Sequence, residues 1–139
     1  MLTQDELNQI EQSVSLAEMK TSGEIRVHID SSCETDAYKR GLEIFQELEM
    51  HKTELRNGIL IYIDFTHRKI AVIGDKGIHS KVNSEFWVAI NNDLIKQFKT
   101  ENFLNGILQG VKILGEKLEE YFPRNISNAD ELSNKVTIG

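Results

Sequence analysis

The sequence holds a single cysteine, Cys33, and a single proline, Pro123. One thiol excludes an intrachain disulfide and suits a reducing compartment better than a secreted, stapled scaffold, so the expected location is the cytoplasm. Long apolar runs are missing too. The longest, Ile59 to Ile63, is far short of the ~20 residues that a membrane span requires. The opening Met1-Leu2-Thr3-Gln4-Asp5-Glu6 is acidic and polar where an export signal carries positive charge before an apolar stretch; no membrane anchor is expected. Basic residues are in deficit: 16 Lys and Arg stand against 22 Asp and Glu, and the net charge of −6 argues against nucleic acid as a partner. Such a surface suits cations better. Nucleophile elbows, phosphate-binding Walker loops and dinucleotide fingerprints are also absent.

What is present is enough for one domain. A chain of 139 residues with 40% hydrophobic content can bury a core without staples. Thr3 and Glu6 have the form of a capping box, and Leu7, Ile10, Val14 and Ala17 follow at helical spacing, which predicts a first helix ending near Thr21-Ser22-Gly23. Glu24 to Asp30 alternates strictly between polar and apolar residues, as a strand with one dry face does. Asp36 to Met50 returns to helical spacing, with Tyr38, Leu42, Phe45 and Leu48 expected on the core side. Arg56-Asn57-Gly58 is a turn signal that opens the apolar run Ile59 to Ile63, a strand buried on both faces. Ile70 to Ile73 forms a third strand after a link of hairpin length, antiparallel to the second.

Two helices follow. Ser84 to Phe98 lines up Phe86, Trp87, Ile90, Leu94 and Phe98, and Asn102 caps a longer helix carrying Phe103, Ile107, Val111, Leu114, Leu118 and Phe122 that Pro123 ends. The expected architecture is a three-layer α/β/α sandwich, a small mixed sheet flanked by about four helices. Residues 1–123 form the domain, and 124–139 form a polar tail that lies on it or frays.

Topology then selects a site. A helix joins the first two strands, and such crossovers are right-handed and make strands parallel. The third strand runs back. The segments Ser22-Gly23-Glu24, Arg56-Asn57-Gly58 and Gly74-Asp75-Lys76-Gly77 should therefore meet at one end of the sheet.

Those same segments, Thr21-Ser22-Gly23-Glu24-Ile25, Arg56-Asn57-Gly58-Ile59-Leu60 and Gly74-Asp75-Lys76-Gly77-Ile78, together with Trp87, resemble the motif series of the TPM domain family over roughly residues 3 to 122. Asn128-Ala129-Asp130-Glu131-Leu132 is similar to the ending of short cytoplasmic members. The resemblance implies an α/β/α fold, binding of a divalent cation such as calcium or magnesium, and acid phosphatase activity of the kind attributed to plant chloroplast relatives.

The residues at the convergence can be read in that light. Glu24, Asn57 and Asp75 supply oxygen, the donor that hard cations such as Ca2+ and Mg2+ prefer, and form the expected metal set. Arg56 offers planar, bidentate donation to a phosphate, so Asp75 and Arg56 are the expected catalytic residues for a phosphomonoester. A plainer reading stands beside this one: Gly-Asp-Lys-Gly as a turn leaving a strand, Arg56 as Asp75's salt-bridge partner, Glu24 paired with Arg26 or Arg56. Asp30, Asp36 and Asp64, at the carboxyl ends of the parallel strands, make a rival cluster, or else ordinary turn and cap residues. His28, His51, His67 and His79 share no metal-ligand spacing. Cys33 sits among Asp30, Glu34 and Asp36, surroundings unsuited to a nucleophilic thiolate. The partner is thus expected to be a small phosphoester, with a protein docking on the polar face of the first strand as the alternative, and the chain is expected to be a monomer.

Overall fold

The computed structural model describes residues 2–124 and 136–139; the motif Asn128 to Leu132 lies outside the described residues. Helix α1 (Gln4–Glu18) begins with the capping box: Thr3 Oγ1 accepts from the Glu6 N–H at 3.1 Å, and Glu6 Oε1 from the Thr3 N–H at 2.8 Å. Strand β1 (Glu24–Asp30) follows, then α2 (Ala37–Glu47), a 3-10 turn at Met50–Lys52, and the hairpin of β2 (Gly58–Asp64) and β3 (Lys69–Gly74). A one-turn helix α3 (Lys76–His79) leads to α4 (Ser84–Lys99) and α5 (Phe103–Tyr121), and β4 (Thr137–Ile138) closes the described chain. No helix among the described residues is long and apolar enough to cross a membrane.

The sheet has the order β3-β2-β1-β4, with β1 parallel to β2 and β4, and β2 antiparallel to β3. It is therefore the expected mixed sheet, enlarged by one short strand from the chain's last residues. Alternation divides its two faces. Ile25, Val27, Ile29, Ile59, Ile61, Ile63, Ile70 and Val72 pack on α1, α4 and α5, while Leu60, Tyr62, Ala71 and Ile73 pack on α2. All of β2 is buried, as a continuous apolar run at the centre of a sheet predicts.

Helix α2 departs from expectation. It stops at Glu47, and Glu49 takes a left-handed conformation with φ 58° before the 3-10 turn. Its buried side chains are Ala37, Gly41, Ile44 and Phe45. Tyr38 and Leu42, expected in the core, are 49% and 44% exposed. Gly41 explains the rotation, because a Cβ there would collide with Cδ1 of Ile73; the helix seats its smallest residue on the sheet and turns larger ones outward. Asn102 occupies the cap position of α5, but its side chain caps no backbone N–H; its Oδ1 instead accepts from Asn105.

Candidate functional site

The three polar segments do converge. Glu24 is the register partner of Gly58 and donates its N–H to the Asn57 carbonyl at 3.4 Å, while the Asp75 N–H donates to the Gly58 carbonyl at 2.9 Å. Glu24 and Asp75 thus flank Gly58 from opposite sides. Two strand spacings separate their backbones, about 9.5 Å.

Arg56 and Asp75 form the centre of this end. Asp75 Oδ2 accepts from Arg56 Nε at 2.7 Å and Oδ1 from Nη2 at 2.9 Å, a bidentate fork that holds the guanidinium above its ordinary pKa. Asp75 Oδ1 also accepts from the Lys76 N–H at 2.8 Å, which starts α3. Asp75 is buried and Arg56 half-exposed, at the mouth of a cavity of about 470 Å3 that Lys39, Glu43, His51 and Phe45 also line. The glycines around Asp75 serve the chain's own packing. A Cβ on Gly77 would strike the carbonyls of Leu55 and Arg56, and one on Gly74 would strike the Trp87 ring. Gly77 donates its N–H to the Arg56 carbonyl at 2.8 Å, which steadies the turn where Arg56 adopts φ 52°.

As arranged, the expected metal set does not fit a divalent ion. Both oxygens of Asp75 are engaged by a cation already, and among the described residues no three of His, Cys, Asp and Glu gather to hold one. One atom does fit: Asn57 Oδ1 is buried without a hydrogen-bond donor, although Nδ2 donates to Ser22 Oγ at 3.4 Å. Glu24 is buried, and the carboxylate on the Arg56 guanidinium fork is that of Asp75.

At the other end of the parallel strands, Asp30 is the hub of a buried network. His28 Nε2 lies 2.8 Å from its Oδ1, and Tyr62 Oη at 2.7 Å and Arg40 Nε at 3.2 Å donate to its Oδ2. Burial pushes the Asp30 carboxyl up, but hydrogen bonds from Tyr62, His28 and Arg40 bring it below the usual carboxylate range. Burial and the bond to Asp30 push the Tyr62 phenol well up. His28 Nδ1 meets Thr137 Oγ1 at 2.7 Å, tying β4 to the network. Asp64 accepts from the Cys33 N–H and from the backbone and ring of His67. Asp36 precedes α2 without capping it through its side chain. The rival cluster therefore divides into internal contacts, and Glu24, His28 and Asp30 on the polar side of β1 are buried.

Sequence reasoning weighed His51 only as a metal ligand and assigned no role to Lys39 and Glu43 in the cavity wall or to Arg40 and Tyr62 in the network. Lys39 and Glu43 stood four apart on the polar side of the second helix, and Tyr62 carried the lone hydroxyl of the apolar run.

Residues 1–125 match the family model described as TPM domain. The solution structure of the BA42 protein from the psychrophilic bacterium Bizionia argentinensis is 38% identical, with a TM-score of 0.91 over 100% of this chain and 96% of that one. The N-terminal domain of a protein from P. gingivalis is 15% identical, with a TM-score of 0.71 over 89% of this chain and 82% of its own. That of the cg2496 protein from Corynebacterium glutamicum is 13% identical, with a TM-score of 0.63 over 98% and 80%. These last two share the fold. A search of curated proteins finds no match.

Proposed function

This chain belongs to the TPM domain family, and from that premise we propose that the loop end around Gly58 binds a phosphomonoester through Arg56, with Asp75 as its exchangeable counter-ion. The observation that carries this reading is the bidentate Arg56–Asp75 pair at the mouth of an open cavity. A phosphate presents the same fork of oxygens as a carboxylate, so it can take over the guanidinium at little geometric cost. Asp75, released, becomes a carboxylate beside the phosphorus. Hydrolysis would then proceed by water attacking phosphorus as Asp75 accepts its proton, with the P–O bond to the ester oxygen breaking and Asp75 passing that proton to the departing oxygen, which leaves as the alcohol. Arg56 would offset the charge that develops on the phosphoryl oxygens.

Cation binding at Glu24, Asn57 and Asp75 is the second reading, favoured by the buried, undonated Asn57 Oδ1. It requires a Ca2+ or Mg2+ ion to displace Arg56 from Asp75. The two readings respond oppositely to Arg56→Ala. Backbone amide shifts on titration with a generic phosphomonoester should cluster at residues 22–24, 56–58 and 74–78 in the parent and vanish in Arg56→Ala; persistence in the variant removes the first reading. Titration with calcium or magnesium should be tighter in Arg56→Ala, where the competing charge is gone. No shift with either ion in parent or variant removes the second. Hydrolysis of the same ester should fall to background in Asp75→Asn.

A further inference from the structure

The cavity that holds the Arg56–Asp75 pair at its mouth is the space beside any phosphate on Arg56. Its lining divides by chemistry. Lys39, Glu43 and Gln46 of α2 are exposed and already solvated. Phe45 of α2 and Ile73 of β3 line it with hydrocarbon and are buried. Leu42 joins these two, one helical turn before Phe45. The seating of Gly41 against Ile73 turns Leu42 off the sheet, so that a large apolar side chain of the cavity wall stands 44% exposed instead of being packed.

We infer that the ligand of this cavity is a small aryl phosphate, with its phosphate on Arg56 and its ring laid on Leu42, Phe45 and Ile73. The inference rests on the phosphomonoester reading of Arg56 and adds which alcohol the site selects. A cavity of about 470 Å3 is the size that small molecules occupy. Desolvation decides between alcohols. A sugar or glycerol chain laid on Phe45 and Ile73 gives up water at each hydroxyl, and hydrocarbon returns no hydrogen bond. Its hydroxyls could reach Lys39, Glu43 and Gln46 only by exchanging one solvated contact for another. A phenyl ring gives up no hydrogen bond, and it gains with the apolar surface covered on both partners, that of the exposed Leu42 included. A methyl ester keeps the phosphate contacts and leaves Leu42 uncovered, so it separates the part played by Arg56 from the part played by the wall.

Dissociation constants for phenyl phosphate, methyl phosphate and glucose 6-phosphate, read from backbone amide shifts, test this. At about pH 8, above a second phosphate pKa of about 6, all three are dianions. Phenyl phosphate should bind the parent about tenfold more tightly than methyl phosphate, and glucose 6-phosphate no more tightly than methyl phosphate. Leu42→Asn changes an exposed position, and circular dichroism checks that it folds. It should cut the phenyl preference to about threefold or less and leave methyl phosphate unmoved. Equal affinity for the phenyl and methyl esters in the parent overturns the inference, as does glucose 6-phosphate matching phenyl phosphate. So does a phenyl preference that survives Leu42→Asn undiminished, or a loss in that variant that methyl phosphate shares equally. Those results leave the role of Arg56 standing, because methyl phosphate alone tests it. If methyl phosphate moves no amide at residues 56–58, or moves them equally in Arg56→Ala, the underlying reading fails and the aryl preference falls with it.

Discussion

The phenol of Tyr62 donates a 2.7 Å hydrogen bond to Oδ2 of Asp30, and both residues are buried. Tyr62 belongs to the central strand and Asp30 to the last position of its parallel neighbour, so the bond ties the carboxyl ends of β1 and β2 across 32 residues of sequence. Tyr62→Phe keeps the ring and its packing but leaves a buried carboxylate short of one donor. Chemical denaturation should show a loss of about 1.5–3 kcal/mol, the range for bonds to charged groups.

Acid should act through the same carboxyl. Its folded pKa is depressed below the unfolded value, so the stabilisation is complete above about pH 3.9 and is lost as pH falls through the folded value. Denaturation midpoints measured from neutral pH downward should drop more steeply in the parent than in Asp30→Asn. At neutral pH the variant should be less stable by roughly 3 kcal/mol, because Arg40 and His28 then face a neutral amide. The phenol has the opposite sign: its folded pKa is raised, so its contribution holds below about pH 10 and is lost above. Tyr62→Phe should therefore flatten the alkaline limb.

Gly77 meets the carbonyls of the Leu55–Arg56 turn where a side chain would stand. Backbone cannot yield as a flexible side chain can. Gly77→Ala should cost about 1–3 kcal/mol in a melt, and by pushing the turn away it should weaken phosphomonoester binding at Arg56 as well. Stability loss with unchanged binding would separate the turn from the site.

Phe98 is fully buried, with ring centroids 5.9 Å from Phe65 and 5.0 Å from Phe103, and joins α4 to α5 and to the end of β2. Phe98→Ala should cost about 3–5 kcal/mol through lost burial and the cavity left behind. Folding midpoints within 1 kcal/mol or so of the parent would mean the neighbouring rings collapse into the space.

Much of this was legible in sequence wherever periodicity and topology agree. Strict alternation from Glu24 to Asp30 located β1 and its register of faces, and the crossover rule brought Glu24, Asn57 and Asp75 to one end of the sheet. Periodicity failed at α2, because hydrophobicity alone favoured Tyr38 and Leu42 over Ala37 and Gly41; close approach to Ile73 decided the matter, and size is invisible to an apolar count. Thr137 and Ile138 gave too short a pattern to mark a strand, since it is the exposed edge of β1 that makes them one. At the site, residue types told which side chains could bind oxygen or phosphate. They offered Asp75 both as a metal ligand and as Arg56's salt-bridge partner, and the choice of the pair depends on the left-handed turn at Arg56 and the cap at Lys76.

The two borders of the sheet are unlike. Six residues of β3 present one, whereas the other ends in a two-residue β4 whose Gly139 N–H donates to the Ile29 carbonyl, with Gly139 lying against Asp30 and His28. So short a strand offers little template for further addition. Among the described residues the longer border is covered at its middle by Asn91 of α4, which takes the Val72 N–H, so neither side of the sheet invites a further strand.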